Sequence, residues 1–415
     1  RFQKYIFGAA PYRDPVVASG LGNFFVDVDG NKYLDLSSGQ FCLALGYSNT
    51  AFEIAVIKQF KKIIHTNTLY LSEPVLAAFK ALASILPAGM NKSILLSTGA
   101  EAIEFALRNA KFYSGKEGVV ALEHGYHGLT LAAQSITSGG KYARPKVPKT
   151  FIIPVPDYPN YSGGLTNKAL AAAYLKKAEK TLAAQQGQIA VFVIEPILSA
   201  GGMIFPAKEY FQGLAQLAKK HKALLVVDES QTGFGRTGKW FAFEHFGIMP
   251  DIVVGAKAAG LGLPVSVVAM KDKIANALEG RLMHFSSHQN DPIQGAVLEF
   301  VIKYLTVNKF LGKIRRRGEY FLRQLERLAE KQLGLINPRG LGLMLAFDLK
   351  LSDPPVRAQN DYLPGQKLIS MLEKKGVAIQ AINRGRTFRI LPSYAITESE
   401  IDLFIKKLEE ALREL

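Results

Sequence analysis

Carboxylates and a lysine follow three consecutive apolar runs in the middle of the sequence. The first run ends on Glu195, the second on Asp228 and Glu229, and the third leads to Lys257. Continuous apolar runs that alternate with helical segments predict parallel strands covered on both faces. Ligands bind at the carboxyl ends of such strands, so these side chains are expected together at one edge of one sheet.

Two upstream segments could complete a site for an aromatic aldehyde that carries a phosphate. Thr98-Gly99-Ala100 opens a helix, where free amides and the helix dipole favour an anion, although an ordinary capped helix explains this turn equally well. A lysine forms a Schiff base with an aldehyde, a buried aspartate keeps a pyridine nitrogen protonated, and an aromatic ring such as Tyr126 covers the cofactor face. Together these groups indicate a pyridoxal-phosphate site.

The glycine-rich segment 233–238 offers a competing interpretation, because it matches the G-x-G-x-x-G pattern of dinucleotide-binding proteins. In those proteins the first glycine closes the strand directly. Here Asp228, Glu229 and Gln231 stand between strand and glycines, and carboxylates would repel a pyrophosphate. The dinucleotide interpretation is therefore disfavoured. The absence of H-E-x-x-H, G-x-S-x-G and P-loop patterns also disfavours metalloproteases, serine hydrolases and nucleoside triphosphatases.

Composition limits the remaining classes of protein. The 415 residues, 48% hydrophobic and 21% charged, allow two or three domains with their own cores. The sequence contains no run of about 18 apolar residues, so no membrane association is expected. The single cysteine, Cys42, excludes a disulfide framework and predicts a reducing, cytoplasmic setting.

The formal net charge of +16 leaves three kinds of partner open at this point: nucleic acid, an acidic surface or an anionic small molecule. The basic residues are scattered, and the densest clusters, at 58–62 and 313–317, lie in helix-like stretches typical of solvated faces. No appended recognition module is visible in the sequence. We therefore expect no nucleic-acid partner.

The order of the elements predicts an α/β fold in unequal parts. A hairpin pattern lies near the start, strands and helices alternate through the middle, and longer helices with shorter strands follow. We expect a mainly parallel central sheet with helices on both faces in residues 51–295. The change of pattern after about residue 300 indicates a second, smaller domain.

With these motifs the sequence resembles the class-III aminotransferases of fold-type I over nearly its whole length. Segment 97–102 resembles the family's phosphate-binding turn, segment 125–128 its cofactor-stacking motif, and segment 228–238 its most specific block. The resemblance implies a pyridoxal-phosphate enzyme that transfers an amino group from an amino donor to a 2-oxo acid. It also implies a homodimer or tetramer with shared active sites, and it implies that residues 1–50 join residues 296–415 in one smaller α+β domain.

The same resemblance assigns roles to individual residues. Lys257 matches the Schiff-base lysine, which also acts as general base and acid, and Asp228 matches the partner of the pyridine nitrogen. Arg389 matches the arginine that binds the substrate's α-carboxylate. Ser287 matches the residue that reaches the phosphate from the partner subunit. The other implied cofactor contacts are Thr98, Gly99, Ala100, Tyr126, His127, Glu195 and Gln231.

Within this family the sequence departs from the ω-aminotransferase pattern. Ala200 replaces a glutamate that pairs with the carboxylate-binding arginine, so Arg389 is expected to stay free for a carboxylate. In this block and at Gln40 the sequence is closest to 2,2-dialkylglycine decarboxylase, in which a glutamine lies beside the carboxylate to be lost. Ser72 and Asp291 match positions at which that enzyme binds an alkali-metal ion, K or Na.

The favoured expectation is therefore decarboxylation-dependent transamination of 2,2-dialkylglycine-like amino acids to a keto acid such as pyruvate. The cofactor directs cleavage to whichever Cα bond stands perpendicular to its plane. Gln40 is expected to hold a carboxylate in that pose, and Arg389 to hold one in the plane. The alternative is ordinary transamination of an amino acid or ω-amine to a 2-oxo acid, without decarboxylation.

Overall fold

The structure is a computed structural model that describes residues 5, 7, 12–13, 15–138, 147–156, 167–281, 284–350 and 363–415. No helix in these ranges is long and apolar enough to cross a membrane. The strands are β1 Val17–Leu21, β2 Phe24–Asp27, β3 Lys32–Asp35, β4 Lys92–Leu96, β5 Gly118–Leu122, β6 Thr150–Ile153, β7 Ile189–Ile194, β8 Leu224–Asp228, β9 Ile252–Gly255, β10 Ser266–Met270, β11 Leu335–Leu341, β12 Met344–Leu349, β13 Val377–Ala378, β14 Gln380–Ile382 and β15 Thr387–Ile390. The helices are α1 Ser38–Phe41, α2 Thr50–Lys62, α3 Glu73–Ala83, α4 Gly99–Ser114, α5 Leu131–Ile136, α6 Asn167–Leu182, α7 Lys208–Lys220, α8 Phe243–Phe246, α9 Asp272–Leu278, α10 Pro292–Val307, α11 Phe310–Glu330, α12 Leu363–Lys374 and α13 Glu398–Arg413.

A seven-stranded sheet in the order β4-β10-β9-β8-β7-β5-β6 lies at the centre. The strands from β9 to β6 in this order pair in parallel, which confirms the predicted mainly parallel sheet. Strand β10 runs antiparallel to both neighbours. Segment 256–265, between β9 and β10, contains only a short 3-10 turn. Because a parallel return needs a long crossover connection, the chain reverses here instead.

Both faces of this sheet are buried. Alternate residues of β8 and β9 point to opposite sides: Val226 and Val254 pack with one face of helix α4, whereas Val227 and Val253 join the larger core that includes Phe211 of α7. Burial on both faces explains why the strand sequences are continuously apolar rather than alternating.

Two four-stranded sheets complete the fold, in the orders β1-β2-β3-β13 and β11-β12-β15-β14. The predicted hairpin is formed by β2 and β3, and the carboxylate of Asp27 accepts hydrogen bonds from the backbone amides of Asp29 and Asn31 in its turn. Strand β13 pairs with β3, so chain segments near the two ends meet in one sheet. The domain limits at residues 50 and 295 stay a prediction.

Candidate active site

The ends of three adjacent strands form the centre of the candidate site. Asp228 is the last residue of β8, Glu195 follows β7, and Lys257 stands two residues beyond β9. Because β7, β8 and β9 are hydrogen-bonded neighbours, all three side chains emerge at one edge. Lys257 has a left-handed backbone, with φ of 48°. Such strain concentrates at functional sites.

The carboxylate of Asp228 is held by a buried imidazole. Nδ1 of His127 lies 2.8 Å from Oδ2 of Asp228, and the amide of Ser230 donates to Oδ1 at 3.0 Å. Burial raises the pKa of Asp228, but the hydrogen bond and charge of His127 outweigh it, so the net shift is downward. Burial lowers the pKa of His127, and the bond and charge of Asp228 reverse this to a net increase. The pair therefore favours ionised aspartate beside imidazolium.

Lys257 is half-buried as a residue, and its amine lies on the buried side, near this pair. Burial lowers the pKa of its amine, and the negative charge of Asp228 only partly opposes the shift. A lower pKa increases the fraction of neutral amine, the form that attacks an aldehyde and accepts a proton. This strand edge therefore combines a nucleophilic amine with a carboxylate whose ionised form is favoured.

Glu195 holds the backbone of the loop that carries Tyr126. Its Oε1 accepts a hydrogen bond from the amide of Tyr126 at 2.6 Å, and its side chain is buried. Burial raises the pKa of Glu195 to about 7, while the charge of His127 opposes the increase. Glu195 thus positions the half-buried aromatic residue that precedes His127.

The turn at the start of α4 has an open backbone. Oγ1 of Thr98 caps the helix by accepting from the amide of Glu101 at 3.2 Å, and Glu101 accepts in turn from the amide of Ser97. A methyl group on Gly128 would stand only 2.5 Å from Cβ of Ala100, so only glycine fits against this turn. The exposed amides of a helix start bind an anion, which fits a phosphate here.

Two buried polar atoms near these groups lack a hydrogen-bond partner among the described residues. They are Oε1 of Gln231 and Nε2 of His127. An orphaned buried amide oxygen is costly unless a ligand supplies a donor, and a ring hydroxyl is such a donor. The amine, the carboxylate, the helix start and this acceptor together fit pyridoxal phosphate.

The structure corrects the prediction that Arg389 is free. Its Nη2 donates to Oε1 of Gln380 at 2.6 Å, its Nη1 lies 3.5 Å from Oγ of Ser199, and its guanidinium packs on the ring of Phe41. Nε2 of Gln380 in turn donates to Oε1 of Gln40 at 2.7 Å. A neutral amide therefore joins the two residues that the sequence predicted to contact substrate.

Gln380 was missed at the sequence level, although a pattern could have located it. Two short apolar runs flank an Asn383-Arg384-Gly385 turn, which is typical of a hairpin. In the structure β14 and β15 form this hairpin, and Gln380 stands directly opposite Arg389. Gln40 is exposed and has a left-handed backbone, with φ of 60°.

The predicted alkali-metal site has a different environment. The two carboxylate oxygens of Asp291 contact Nδ1 of His65 at 2.6 Å and Nδ1 of His288 at 2.8 Å. Oγ of Ser72 is buried without a hydrogen-bond partner among the described residues. Alkali-metal ions prefer oxygen ligands, so imidazoles at Asp291 do not support that prediction. Ser287 is exposed beside His288, and its contact with a partner subunit stays a prediction.

A lysine and an aspartate at adjacent strand ends of a mainly parallel sheet, flanked by smaller sheets, define the fold-type I transferases. The chain belongs to the class-III aminotransferase family, whose model matches residues 9–412. Class-III aminotransferases use pyridoxal phosphate and pass an amino group from an amino donor to a 2-oxo acid.

Individual relatives agree with this assignment. An uncharacterised aminotransferase of Schizosaccharomyces pombe is 30% identical over 96% of this chain and 90% of its own. The acetylornithine aminotransferase of Methanosarcina mazei is 30% identical over 98% of this chain and 94% of its own. Among solved structures, an (S)-enantioselective ω-transaminase from Thermomicrobium roseum superposes with a TM-score of 0.90 and is 26% identical, covering 98% of this chain and 96% of that one.

Proposed function

We propose that this protein transfers amino groups from amino acids to 2-oxo acids without decarboxylation. The observation that carries the proposal is the buried Lys257 amine beside the Asp228–His127 pair. Decarboxylation was the favoured expectation, but relatives named as aminotransferases favour the alternative. Gln40 also has its amide oxygen bound to Gln380, which supports a role in the pocket wall rather than in holding a leaving carboxylate.

In this proposal Lys257 and Asp228 divide the chemistry. Pyridoxal phosphate, when bound, supplies an aldehyde that condenses with amines and a ring that accepts electrons from the substrate's Cα. Lys257 binds the cofactor and then moves a proton to and from Cα, for which its lowered pKa is suited. Asp228 keeps the ring nitrogen protonated, because His127 holds the carboxylate ionised and fixed in place.

The remaining residues bind and orient. The start of α4, at Thr98, Gly99 and Ala100, holds the phosphate, and Gln231 accepts from the ring hydroxyl. Tyr126, placed by Glu195, covers the ring face.

Arg389 binds the carboxylate of both donor and acceptor in this proposal. A substrate carboxylate displaces the amide oxygen of Gln380 from the guanidinium, because a charged acceptor binds a cation more strongly than a neutral one. Two groups of relatives are named for acetylornithine and for [LysW]-aminoadipate semialdehyde and glutamate semialdehyde. We therefore propose donors that carry an α-carboxylate in addition to the reacting amine.

Assembly and location are also proposals. Leu69, Tyr70 and Leu71 are each about 70% exposed, ahead of helix α3, which supports burial against a second copy in a homodimer or tetramer. The free thiol of Cys42 is consistent with a reducing, cytoplasmic setting.

The proposal is tested on the purified, cofactor-loaded enzyme with three donors: L-alanine, N-acetylornithine and 2-aminoisobutyrate. Pyruvate and 2-oxoglutarate serve as acceptors, and both amino-group transfer and carbon dioxide release are measured. We expect transfer from at least one of the first two donors without carbon dioxide. Carbon dioxide released in step with transfer from 2-aminoisobutyrate would instead establish the decarboxylase reaction.

A pair of lysine variants tests the role of Lys257. Lys257→Ala should lose the visible absorbance of the lysine-bound cofactor together with turnover. The matched change Lys273→Ala, on the exposed face of α9, should lose neither. Full absorbance and turnover in Lys257→Ala would refute the assignment of the lysine.

A further inference from the structure

We propose that His65, His288 and Asp291 form a site for a divalent transition-metal ion of the zinc class. Each residue offers one ligand atom, and these atoms all lie within 4.8 Å of one another. No ion is required by the aminotransferase chemistry proposed above. The inference therefore stands independently of that function.

The three ligands come from separate segments that converge on one point. His65 follows the end of helix α2, His288 lies in the segment before α10, and Asp291 is the N-cap residue of α10. The carboxylate contacts one imidazole nitrogen with each oxygen, at 2.6 and 2.8 Å, and the two rings are 5.1 Å apart. This convergence is a tertiary feature, because His65 and Asp291 are 226 positions apart.

The burial of the cluster is uneven in a way that suits an ion. The Asp291 side chain is only 6% exposed, whereas those of His65 and His288 are 47% and 64% exposed. The acid thus lies at the base of the cluster and the imidazoles at its mouth. In the single chain an ion can reach these ligands without unfolding; in the proposed homodimer the site would border the partner subunit, since Ser287 is expected to contact it.

The adjoining cavity supplies space and no competing cation. It has a volume of about 270 Å³, and the described residues that line it include no lysine or arginine. Apart from the three proposed ligands, the lining side chains are apolar or uncharged, such as Leu263, Val297 and Gln294. Asp291 already stands at the start of α10, whose amides and dipole stabilise its carboxylate, and a cation bound between this carboxylate and the imidazoles would be stabilised in turn by the carboxylate's charge.

The type of donor selects the class of ion. Two imidazole nitrogens and one carboxylate favour zinc and its neighbours over potassium, sodium or magnesium. Metal–ligand bonds of about 2.0–2.2 Å place neighbouring ligand atoms about 3.3 Å apart in a tetrahedron. Exposed imidazoles can rotate to reach this spacing from their present contacts. A fourth position would remain open toward the cavity.

A bound ion would tie the end of α2 to the start of α10. It would also fix segment 284–291, which contains the exposed Ser287. Because the ion binds only the folded chain, its binding should raise the melting temperature.

The test is calorimetric titration of Zn²⁺ into the chelator-treated, cofactor-loaded enzyme, with the melting temperature measured alongside. We expect one ion per chain, a higher melting temperature, and an unchanged visible spectrum of the cofactor. His65→Ala and His288→Ala should each weaken binding more than tenfold, whereas His221→Ala, at the end of α7, should not. Potassium should not compete.

Three results would overturn the proposal. The first is no zinc binding by the unaltered protein, and the second is equal affinity in His65→Ala and His288→Ala. The third is zinc binding that changes the cofactor spectrum and is insensitive to both substitutions, because it would place the ion on the cofactor. Both histidines are exposed in the single chain, so their replacement leaves its core intact, and size-exclusion chromatography should show the same assembly for both variants as for the unaltered protein.

Discussion

The amide of Gln380 offers a direct test of how this site recognises a carboxylate. Gln380→Glu would place a carboxylate where an amide oxygen now lies 2.6 Å from Nη2 of Arg389, a side chain that is only 7% exposed. The exposed amide of Gln40 can turn to donate to the new oxygen. The change therefore introduces an internal competitor for the substrate carboxylate without removing a side chain.

The magnitude follows from the difference between two hydrogen bonds. A hydrogen bond between neutral groups contributes about 1 kcal/mol and one that involves a charged group about 1.5–3 kcal/mol, so an added charge is worth about 0.5–2 kcal/mol. The Gln380–Arg389 bond already has a charged donor, and we take the same increment for the second charge that Gln380→Glu adds. At about 1.4 kcal/mol for each factor of ten, KM for a carboxylate-bearing donor should rise about 2- to 30-fold. Because this binding is equal in ground and transition states, kcat should change little.

The assay is the donor half-reaction, run without a 2-oxo acid and followed by the change in cofactor absorbance, so the half-saturating donor concentration and the limiting rate of this single turnover stand for KM and kcat. An amine donor that lacks a carboxylate should keep its KM in Gln380→Glu. The matched change Gln216→Glu, on the exposed face of α7, adds the same charge far from the site and should leave both donors unaffected. An unchanged KM for the carboxylate donor, or an equal increase for both donors, would refute the role assigned to Gln380 and Arg389.

Three further predictions concern the buried groups around the cofactor site. His127→Asn removes the imidazolium that lowers the pKa of Asp228. The lost bond to a charged group is worth about 1.5–3 kcal/mol, so turnover should fall about tenfold to a hundredfold. His124→Asn is the control, and equal turnover in the two variants would contradict the pairing of His127 with Asp228. Gly128→Ala places a methyl group 2.5 Å from Ala100 and should weaken cofactor binding at least about tenfold, or about 1.4 kcal/mol. Gly187→Ala also falls at a positive φ, 76° against 117° at Gly128, but in open space. Comparable cofactor affinities in the two variants would argue against a phosphate site at the start of α4. Glu229 is fully buried, and burial raises its pKa from 4.5 to about 7. The unfolded chain releases this proton first, so the unfolding free energy contributed by Glu229 decreases as pH rises from about 4.5 to about 7 and is then constant. Glu229→Gln should remove up to about 1.4 kcal/mol per pH unit from that slope, measured by urea unfolding at several pH values, and parallel profiles would disprove the shift.

Several features of the fold and site could be predicted from local sequence alone. The apolar runs before Glu195, Asp228 and Lys257 encode buried strands, and the intervening helical patterns require parallel connections. Parallel strands present their carboxyl ends at one edge, so the meeting of these side chains follows from the pattern and is present in the structure. The cap of α4 by Thr98 is similarly local, since it depends on residues three positions apart.

Other features depend on which elements pack together, and local periodicity carries no information about that. Arg389 is held by Gln380 because a short hairpin sets their register, and Gln40 joins them across 340 positions of sequence. The motif that resembles an alkali-metal site is surrounded by imidazoles only because α2 and α10 bring His65 and His288 to Asp291. The residue types at the strand ends therefore specify the class of chemistry. Long-range packing specifies the partners of each charge, because a charge is neutralised by whatever group lies within a few ångströms, whatever its distance along the chain.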